Sequence, residues 1–470
     1  MGDYSGKVLS GLGQGAVEDG FTRLGADGLR CLVRDACGLL REAGISPHEP
    51  VIVPVSNRCA DVAAILSIQE AGGVPVPLHR RAHANSLTGI LDAVGARFAL
   101  ELTPDAPSNL PVRGAGLVRL KEDVPPERSL LQEAGIITFT SGSTGVPKGV
   151  VLSAARAAAK LDAIGRQLDF PSAAVTLVPL QLTFSFGQWA TFLTLSRGGT
   201  VHLRDRLDPA AAAELIARAG VTHLAAVPTL LRMLPSPLPG STGTLSRILT
   251  GGEPVTAALR RQLLSFWPRC EIVSIFGLTE TGTSDFYHFD SGEEADDDSL
   301  GRIAPDERFR IDPASGELLI GTPFAMLGYL DNPESTARIM SSGWVRTGDL
   351  ARDLGDGRVQ LVGRSKDLIN RAGNKIAPLE IERLFAGHPG LSAVLVTGAA
   401  DPRVGEAVHL VCVPRPGAAP TAEALHEWAK SRIERFKLPD RIHFAAELPI
   451  GGTGKADRAV LRRRIEAGEL

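Results

Sequence analysis

Between residues 50 and 276, short β-branched runs alternate with capped helical segments, and this alternation constrains the fold more than any other feature of the chain. VIVPV from residue 51, IITFT from 136, HLAAVP from 223 and EIVSIF from 271 have the length and composition of buried strands. Between them, DVAAILSIQEAGG (61–73), SAARAAAKLDAIGRQL (from Ser153) and DPAAAAELIARAG (208–220) read as helices. The last has Asp208 as cap, Pro209 at the first helical position and Gly220 just past the end. Such alternation predicts α/β layers with mostly parallel strands.

From about residue 300 the pattern changes to shorter strands and turns, GELLIG, GWVRTGDLARD and GRVQLVG. After GRSKD, about one hundred residues carry helix and strand signals of their own, including PLEIERLFAG and AVLVTG. The pattern suggests two units, a large N-terminal α/β one, 1–365, and a small C-terminal α+β one, 366–470, with the boundary near Lys366; a single continuous domain is the alternative, which the length disfavours. With 470 residues, 44% of them hydrophobic, the chain can bury more than one substantial core.

A formal net charge of -3 excludes a global basic field for nucleic acid or an anionic membrane, so any anion site must be local. No run approaches the ~20 apolar residues of a membrane helix, and the N-terminus lacks a basic stretch followed by an apolar one, so a cytoplasmic location is expected. Cys31, Cys37, Cys59, Cys270 and Cys412 are scattered, without C-x-x-C spacing; buried thiols in a reducing compartment are expected, and no structural zinc. The acidic stretch SGEEADDDS, 291–299, reads as a solvated loop, not a metal site.

The stretch TFTSGSTGVPKG, 138–149, has the composition of a phosphate cradle. Gly142 and Gly145 let backbone N–H groups approach an anion, Ser141, Ser143 and Thr144 offer hydroxyls, and Lys148 a mobile charge. It is not a Walker A loop, because Pro147 precedes the lysine and Gly149 follows it. Taken alone, the stretch is also compatible with a Ser/Gly surface turn.

Several further motifs in order settle the loop. The chain resembles the adenylate-forming superfamily of acyl- and aryl-CoA synthetases, peptide-synthetase adenylation domains and luciferases, from about residue 50 to 458. TSGSTGVPKG (140–149) matches its phosphate loop, FGLTETG (276–282) its adenine and magnesium motif, and GWVRTGDL (343–350) its ribose motif. GRSKDLINRAGNKIAPLEIE (363–382) matches the hinge, and GGTGKADR (451–458) the loop of the catalytic lysine.

The resemblance implies an adenylate-forming fold that uses ATP and Mg2+. Thr140, Ser141, Ser143, Thr144 and Lys148 would hold the β- and γ-phosphates, with Gly142 and Gly145 lining the loop. Thr279 would touch the α-phosphate, Glu280 would bind magnesium, and Phe276, Gly277, Gly252 and Glu253 would surround the adenine. Asp349 would accept the ribose hydroxyls and Arg364 donate to ribose or phosphate, although such an arginine can equally be an ordinary ion-pair partner. Lys455 would bridge carboxylate and α-phosphate, and Lys366 would be the hinge on which the small domain swings between two half-reactions. These residue types suit the chemistry, because a carboxylate attacking the α-phosphorus brings two anions together and needs preorganised positive charge and donors.

Two departures bear on the substrate. Phe276 stands where tyrosine is usual in the family, keeping apolar packing and losing a hydroxyl. In VPLQLTFSFGQW (178–189), Gln181 and Thr183 stand roughly where CoA ligases carry histidine and amino-acid adenylation domains an aspartate. An α-amino acid would therefore lack a counter-charge for its ammonium. Thr183, Phe184, Phe186 and Trp189, with Gly251, outline a partly aromatic acid pocket, or else pack in the core. The region ahead of residue 50 is short for the family, which implies a trimmed early subdomain. No carrier segment follows Lys455, so an external acceptor is expected, either CoA or the phosphopantetheine of a separate carrier protein.

The expected activity is an ATP-dependent acid:thiol ligase for a non-amino carboxylic acid, aromatic acids among the candidates. Alternatives are transfer to a carrier protein or an amine, adenylation of nitrite for diazotisation of an aryl amine, and a silent ATP-binding regulator. A homodimer stays open on general grounds.

Overall fold

A computed structural model of the chain describes residues 3–82, 84–103, 110, 116–140, 147–205, 208–234, 243–253, 255–290, 299–449 and 456–470. Its largest element is a mixed sheet. The strands Ala16–Glu18, Thr200–Leu203, Val175–Val178, His223–Ala225, Arg247–Gly251 and Glu271–Phe276 lie side by side and parallel. Helices Ser185–Ser196, Pro209–Arg218 and Ala257–Phe266 make crossovers between them, as parallel pairing requires.

After Phe276 the direction changes. The chain turns back through Thr279–Thr281, with Gly282 at φ 85°, and Phe286–Asp290 runs antiparallel to Glu271–Phe276, Phe276 facing Phe286. The antiparallel region continues through Arg302–Ile303 to Arg358–Arg364, Trp344–Gly355, Glu317–Gly321 and Arg308–Ile311.

A second sheet of four strands sets Val74–His79 and Phe98–Glu101 parallel to Pro50–Val55, with Gly116–Arg119 antiparallel at its edge. The third sheet departs from the parallel expectation. IITFT lies in Ala134–Thr140, which forms an antiparallel hairpin with Lys148–Ser153, joined by Gly328–Tyr329. The link 141–147 is far shorter than the dozen or so residues a parallel crossover needs.

Caps act where the sequence places them. Ser153 Oγ accepts from the Arg156 N–H at 3.4 Å, and Asp208 Oδ1 from the Ala210 N–H at 2.9 Å. The helix expected from Asp61 begins earlier, at Cys59, because the Asp61 carboxylate accepts the Ser56 and Arg58 N–H groups from inside the first turn, both at 2.8 Å. That helix is almost wholly buried, each large aliphatic side chain contributing roughly 1.5–3 kcal/mol by leaving water.

Residues 369–444 form a separate five-stranded sheet, in which Leu391–Asp401 and Gly405–Pro414 make the long central hairpin. Helices Pro378–Ala386 and Ala422–Lys430 cover a core that includes Ile381, Phe385, Val396, Leu410 and Leu425. Cys37, Cys59, Cys270 and Cys412 are buried as expected, whereas Cys31 is exposed on the outer face of Ala26–Glu42. Among the described residues no helix is long and apolar enough to cross a membrane.

Candidate active site

The hairpin puts Thr140 directly opposite Lys148, at the two ends of the expected phosphate loop. Ser141, Gly142, Ser143, Thr144 and Gly145 lie outside the described residues, as do Lys455 and most of the acidic stretch, 291–298. Lys148 Nζ stands 4.9 Å from the centre of the Tyr329 ring. The Tyr329 hydroxyl in turn donates to Glu280 Oε1 at 2.7 Å, and the Met326 N–H donates to the Glu280 carbonyl at 2.9 Å. Burial, together with the Glu280 carboxylate, keeps the Tyr329 phenol protonated far above its ordinary range, so it remains a donor.

Thr279, one residue back on the same turn, shares a hydrogen bond with Ser185 Oγ at 3.3 Å. Ser185 starts the helix that follows VPLQLTF. Thus loop base, Glu280 turn and the substrate stretch meet in one chain of contacts.

Strand register builds the second half of the site. Asp349 and Arg364 face each other across the antiparallel pair Trp344–Gly355 and Arg358–Arg364. Arg364 Nε donates to Asp349 Oδ1 at 2.9 Å, while the buried Asp349 Oδ2 has no hydrogen-bond partner among the described residues. Burial raises the Asp349 acid above the usual carboxylate value, opposed by Arg364. An orphaned, buried acceptor is costly, and a ribose hydroxyl is the kind of donor that satisfies it. Phe276 and Leu278 pack on the same cluster as Leu318, Ala351 and Val359, which ties the adenine motif to the Asp349 strand.

Gly251 ends its strand beside Ile275, and Gly252 follows at φ 83°, a conformation a side chain would strain. A Cβ on Gly277 would stand 2.2 Å from the Ser284 nitrogen, so the turn demands glycine whatever it binds. Glu253 is held by Thr229 Oγ1 and Arg232, both at 2.8 Å. Lys366 lies in the turn Ser365–Asp367, where Asp367 accepts from Arg458 Nη1 at 3.0 Å.

A small cavity of about 40 Å³ opens beside the Thr279–Thr281 turn, between the helices Ala154–Gln167 and Ser185–Ser196. Ser185, Gly282 and Thr283 line it near Thr279, and Ile136, Leu161, Ile164, Trp189 and Phe324 give it apolar walls. Trp189 stacks on Phe186 at 5.2 Å. Thr183, Phe184, Phe186 and Gly251 are not among its lining residues; one helical turn brings Ser185, Gln188 and Trp189 there instead. Gln181 faces away, donating to the Asp205 carbonyl and Oδ1, both at 2.8 Å.

A magnesium ion suits Glu280. Such an ion keeps most of its waters and uses one or two carboxylates plus phosphate oxygens. Glu280 Oε2 has no partner among the described residues, and no group of three or more His, Cys, Asp or Glu is needed or found among them. Tyr329 and Ser185 escaped sequence reasoning, because each meets its partner across the fold; Tyr329 is 49 positions from Glu280.

A buried, unpartnered carboxylate oxygen on Asp349 and a lysine beside the Glu280 turn are features that a nucleotide can engage. Comparison with known proteins agrees. Residues 14–330 match the AMP-binding enzyme family and 380–455 its C-terminal domain. The chain is 31% identical to a feruloyl-CoA synthase of an Amycolatopsis species over 96% of both chains. It is also 31% identical to the fatty acid:acyl-carrier-protein ligase ScoC of Streptomyces coeruleorubidus, over 91% of this chain and 88% of that one. The amide bond synthetase McbA of Marinactinospora thermotolerans superposes with a TM-score of 0.87 at 26% identity, over 98% of this chain and 99% of that one. The chain belongs to the AMP-binding enzyme family of the adenylate-forming superfamily, and it is an AMP-forming enzyme of the acyl-CoA synthetase kind.

Proposed function

We propose that this chain is an acid:thiol ligase that adenylates a compact, non-amino carboxylic acid, aromatic acids foremost, and passes the acyl group to CoA. The observation that carries the reading is the cavity beside Thr279–Glu280, apolar in its walls and without a carboxylate among its lining residues. A bound ammonium would be left there without a counter-charge, whereas an aryl or alkyl group buries its surface.

In the first half-reaction a substrate carboxylate oxygen bonds to the α-phosphorus of ATP, the bond to the β-phosphate oxygen breaks, and pyrophosphate leaves. Lys148 and Thr140 hold the departing phosphates, Thr279 donates to the α-phosphate, and Asp349 accepts the ribose hydroxyls. Magnesium at Glu280 would neutralise phosphate charge. Lys455 bridges carboxylate and α-phosphate, an electrostatic role worth about 3 kcal/mol or more. In the second, rotation about Lys366 at the boundary of the two units admits CoA, whose thiolate sulfur bonds to the acyl carbon as AMP leaves.

The test is pyrophosphate and AMP release from ATP and magnesium across aromatic, short-chain and fatty acids, each with and without CoA, with nitrite plus aryl amines as a further arm. Acid-dependent release that rises with CoA and yields a thioester is expected. The likeness to an amide bond synthetase favours one second reading, an amine as acceptor, and release indifferent to CoA but stimulated by amines would establish it instead. A carrier protein as acceptor would show as release stimulated by the phosphopantetheinylated carrier alone.

A further inference from the structure

In the motif GGTGKADR the proposed chemistry uses Lys455, and the last residue, Arg458, has no part in it. Arg458 opens the helix Arg458–Glu466, and its guanidinium divides its donors among three other elements. Nε donates to the Val396 carbonyl at 2.7 Å, on the strand Leu391–Asp401. Nη2 donates to Glu382 Oε1 at 2.6 Å, on the helix Pro378–Ala386. Nη1 donates to Asp367 Oδ2 at 3.0 Å, in the turn Ser365–Asp367 that holds Lys366. Glu382 Oε1 also accepts the Val396 N–H at 2.8 Å, so two of the three partners are held to each other as well as to the arginine.

The backbone around Arg458 is fixed too. Asp457 caps the same helix, its Oδ1 accepting the Ala459 and Val460 N–H groups at 2.9 and 3.0 Å, and Leu461 is buried against Leu395 and Val411. The Asp457 N–H donates to the Pro449 carbonyl at 2.8 Å, so the two residues that bracket the segment 450–456 are bonded to each other. Lys455 belongs to that segment and precedes Arg458 by three positions. Three residues of chain span at most about 11 Å, so whatever fixes Arg458 limits where Lys455 can be. A planar guanidinium can hold three acceptors in set directions at once, which a single ammonium cannot.

We infer that Arg458 is a positioning residue for adenylation: by joining the hinge turn at Asp367 to the base of the segment that carries Lys455, it sets that lysine's approach to the α-phosphate. The inference rests on the reading that Lys455 bridges carboxylate and α-phosphate and that Lys366 is the hinge.

The test uses the full chain with its best acid and reads the half-reactions separately: acid-dependent pyrophosphate release for the first, and thioester formation from supplied acyl-adenylate and CoA for the second. Arg458→Gln should lower kcat of the first about 10- to 100-fold, the scale of a small misplacement of a catalytic group, with the KM for ATP and the second half-reaction near the parent's. Asp367→Asn, which leaves the Glu382 pair in place, should give a smaller loss with the same selectivity. The two together should cost no more than Arg458→Gln alone, because both cut one tie. Arg458→Lys should recover only part of the rate. Thermal unfolding establishes which variants are folded. If Arg458→Gln is not, Asp367→Asn decides: a selective loss of adenylation supports the inference and a parent-like kcat overturns it. Equal losses in both half-reactions, or losses that multiply in the double variant, would make Arg458 merely structural and overturn the inference, as would a parent-like kcat in folded Arg458→Gln. Each of these results leaves the ligase reading standing, whereas a parent that releases no pyrophosphate with any acid removes both.

Discussion

Behind the cavity, Lys160, Asp285 and Glu307 form a buried charged cluster. Between residues 349 and 382 and at Arg458 the charged groups are more accessible, Arg364 being 52% exposed and Arg458 26%. Arg364 is half-exposed on Asp349, Arg383 donates to the Leu361 carbonyl at 2.8 Å, and Arg458 joins Asp367 to Glu382. Breaking a buried ion cluster leaves an uncompensated charge and costs several kcal/mol, while a solvated pair is worth about 0–1 kcal/mol. The buried cluster is the costlier of the two to disturb.

The largest effect should come from the C-terminal unit. Lys455→Ala should lower acid-dependent pyrophosphate release on the order of 100- to 1000-fold while thioester formation from supplied acyl-adenylate persists. Equal loss in both steps would erase the division between the two regions. In the N-terminal unit, Asp349→Ala removes the acceptor aimed at ribose and should raise the KM for ATP about 10- to 100-fold, with kcat less affected. Tyr329→Phe takes one hydrogen bond from Glu280 and should raise the magnesium concentration for half-maximal activity about 5-fold.

The smallest effect concerns pH. Glu307 keeps its proton in the fold up to about 9, whereas an unfolded glutamate releases it near 4.5. Between these values the folded state binds more protons than the unfolded one, so this residue makes stability fall as pH rises through that window. Glu307→Gln, a mimic of the neutral acid, should flatten the decline of Tm with pH. A parallel decline in both proteins would place the excess proton elsewhere.

Local chemistry was the legible part of this molecule. Ser153 and Asp208 announced their helices because a cap acts within three residues, and the register of GWVRTGDL with GRVQLVGR carries Asp349 to Arg364 across a single strand pair. Long-range contacts were not legible. Glu307 meets Lys160 across 147 positions, and nothing near either residue marks the meeting. Of the aromatic residues the sequence grouped at 184–189, Trp189 lines the cavity with Ser185 and Gln188, the helical spacing placing those three on one face. The antiparallel hairpin at 134–153 was hidden behind a strand signal that carries no direction.

The central claim is that the nucleotide and the acid bind on the N-terminal unit, with ribose on Asp349 and the acyl group beside Ser185 and Trp189. A crystal structure with a non-hydrolysable acyl-sulfamoyl-adenosine, its acyl group chosen from the best substrate in the panel, tests this most directly. The account predicts ribose hydroxyls on Asp349 Oδ2 and the acyl group between Ser185 and Trp189. An acyl group lodged away from Ser185 and Trp189, or a ribose that leaves Asp349 Oδ2 without a partner, would contradict it.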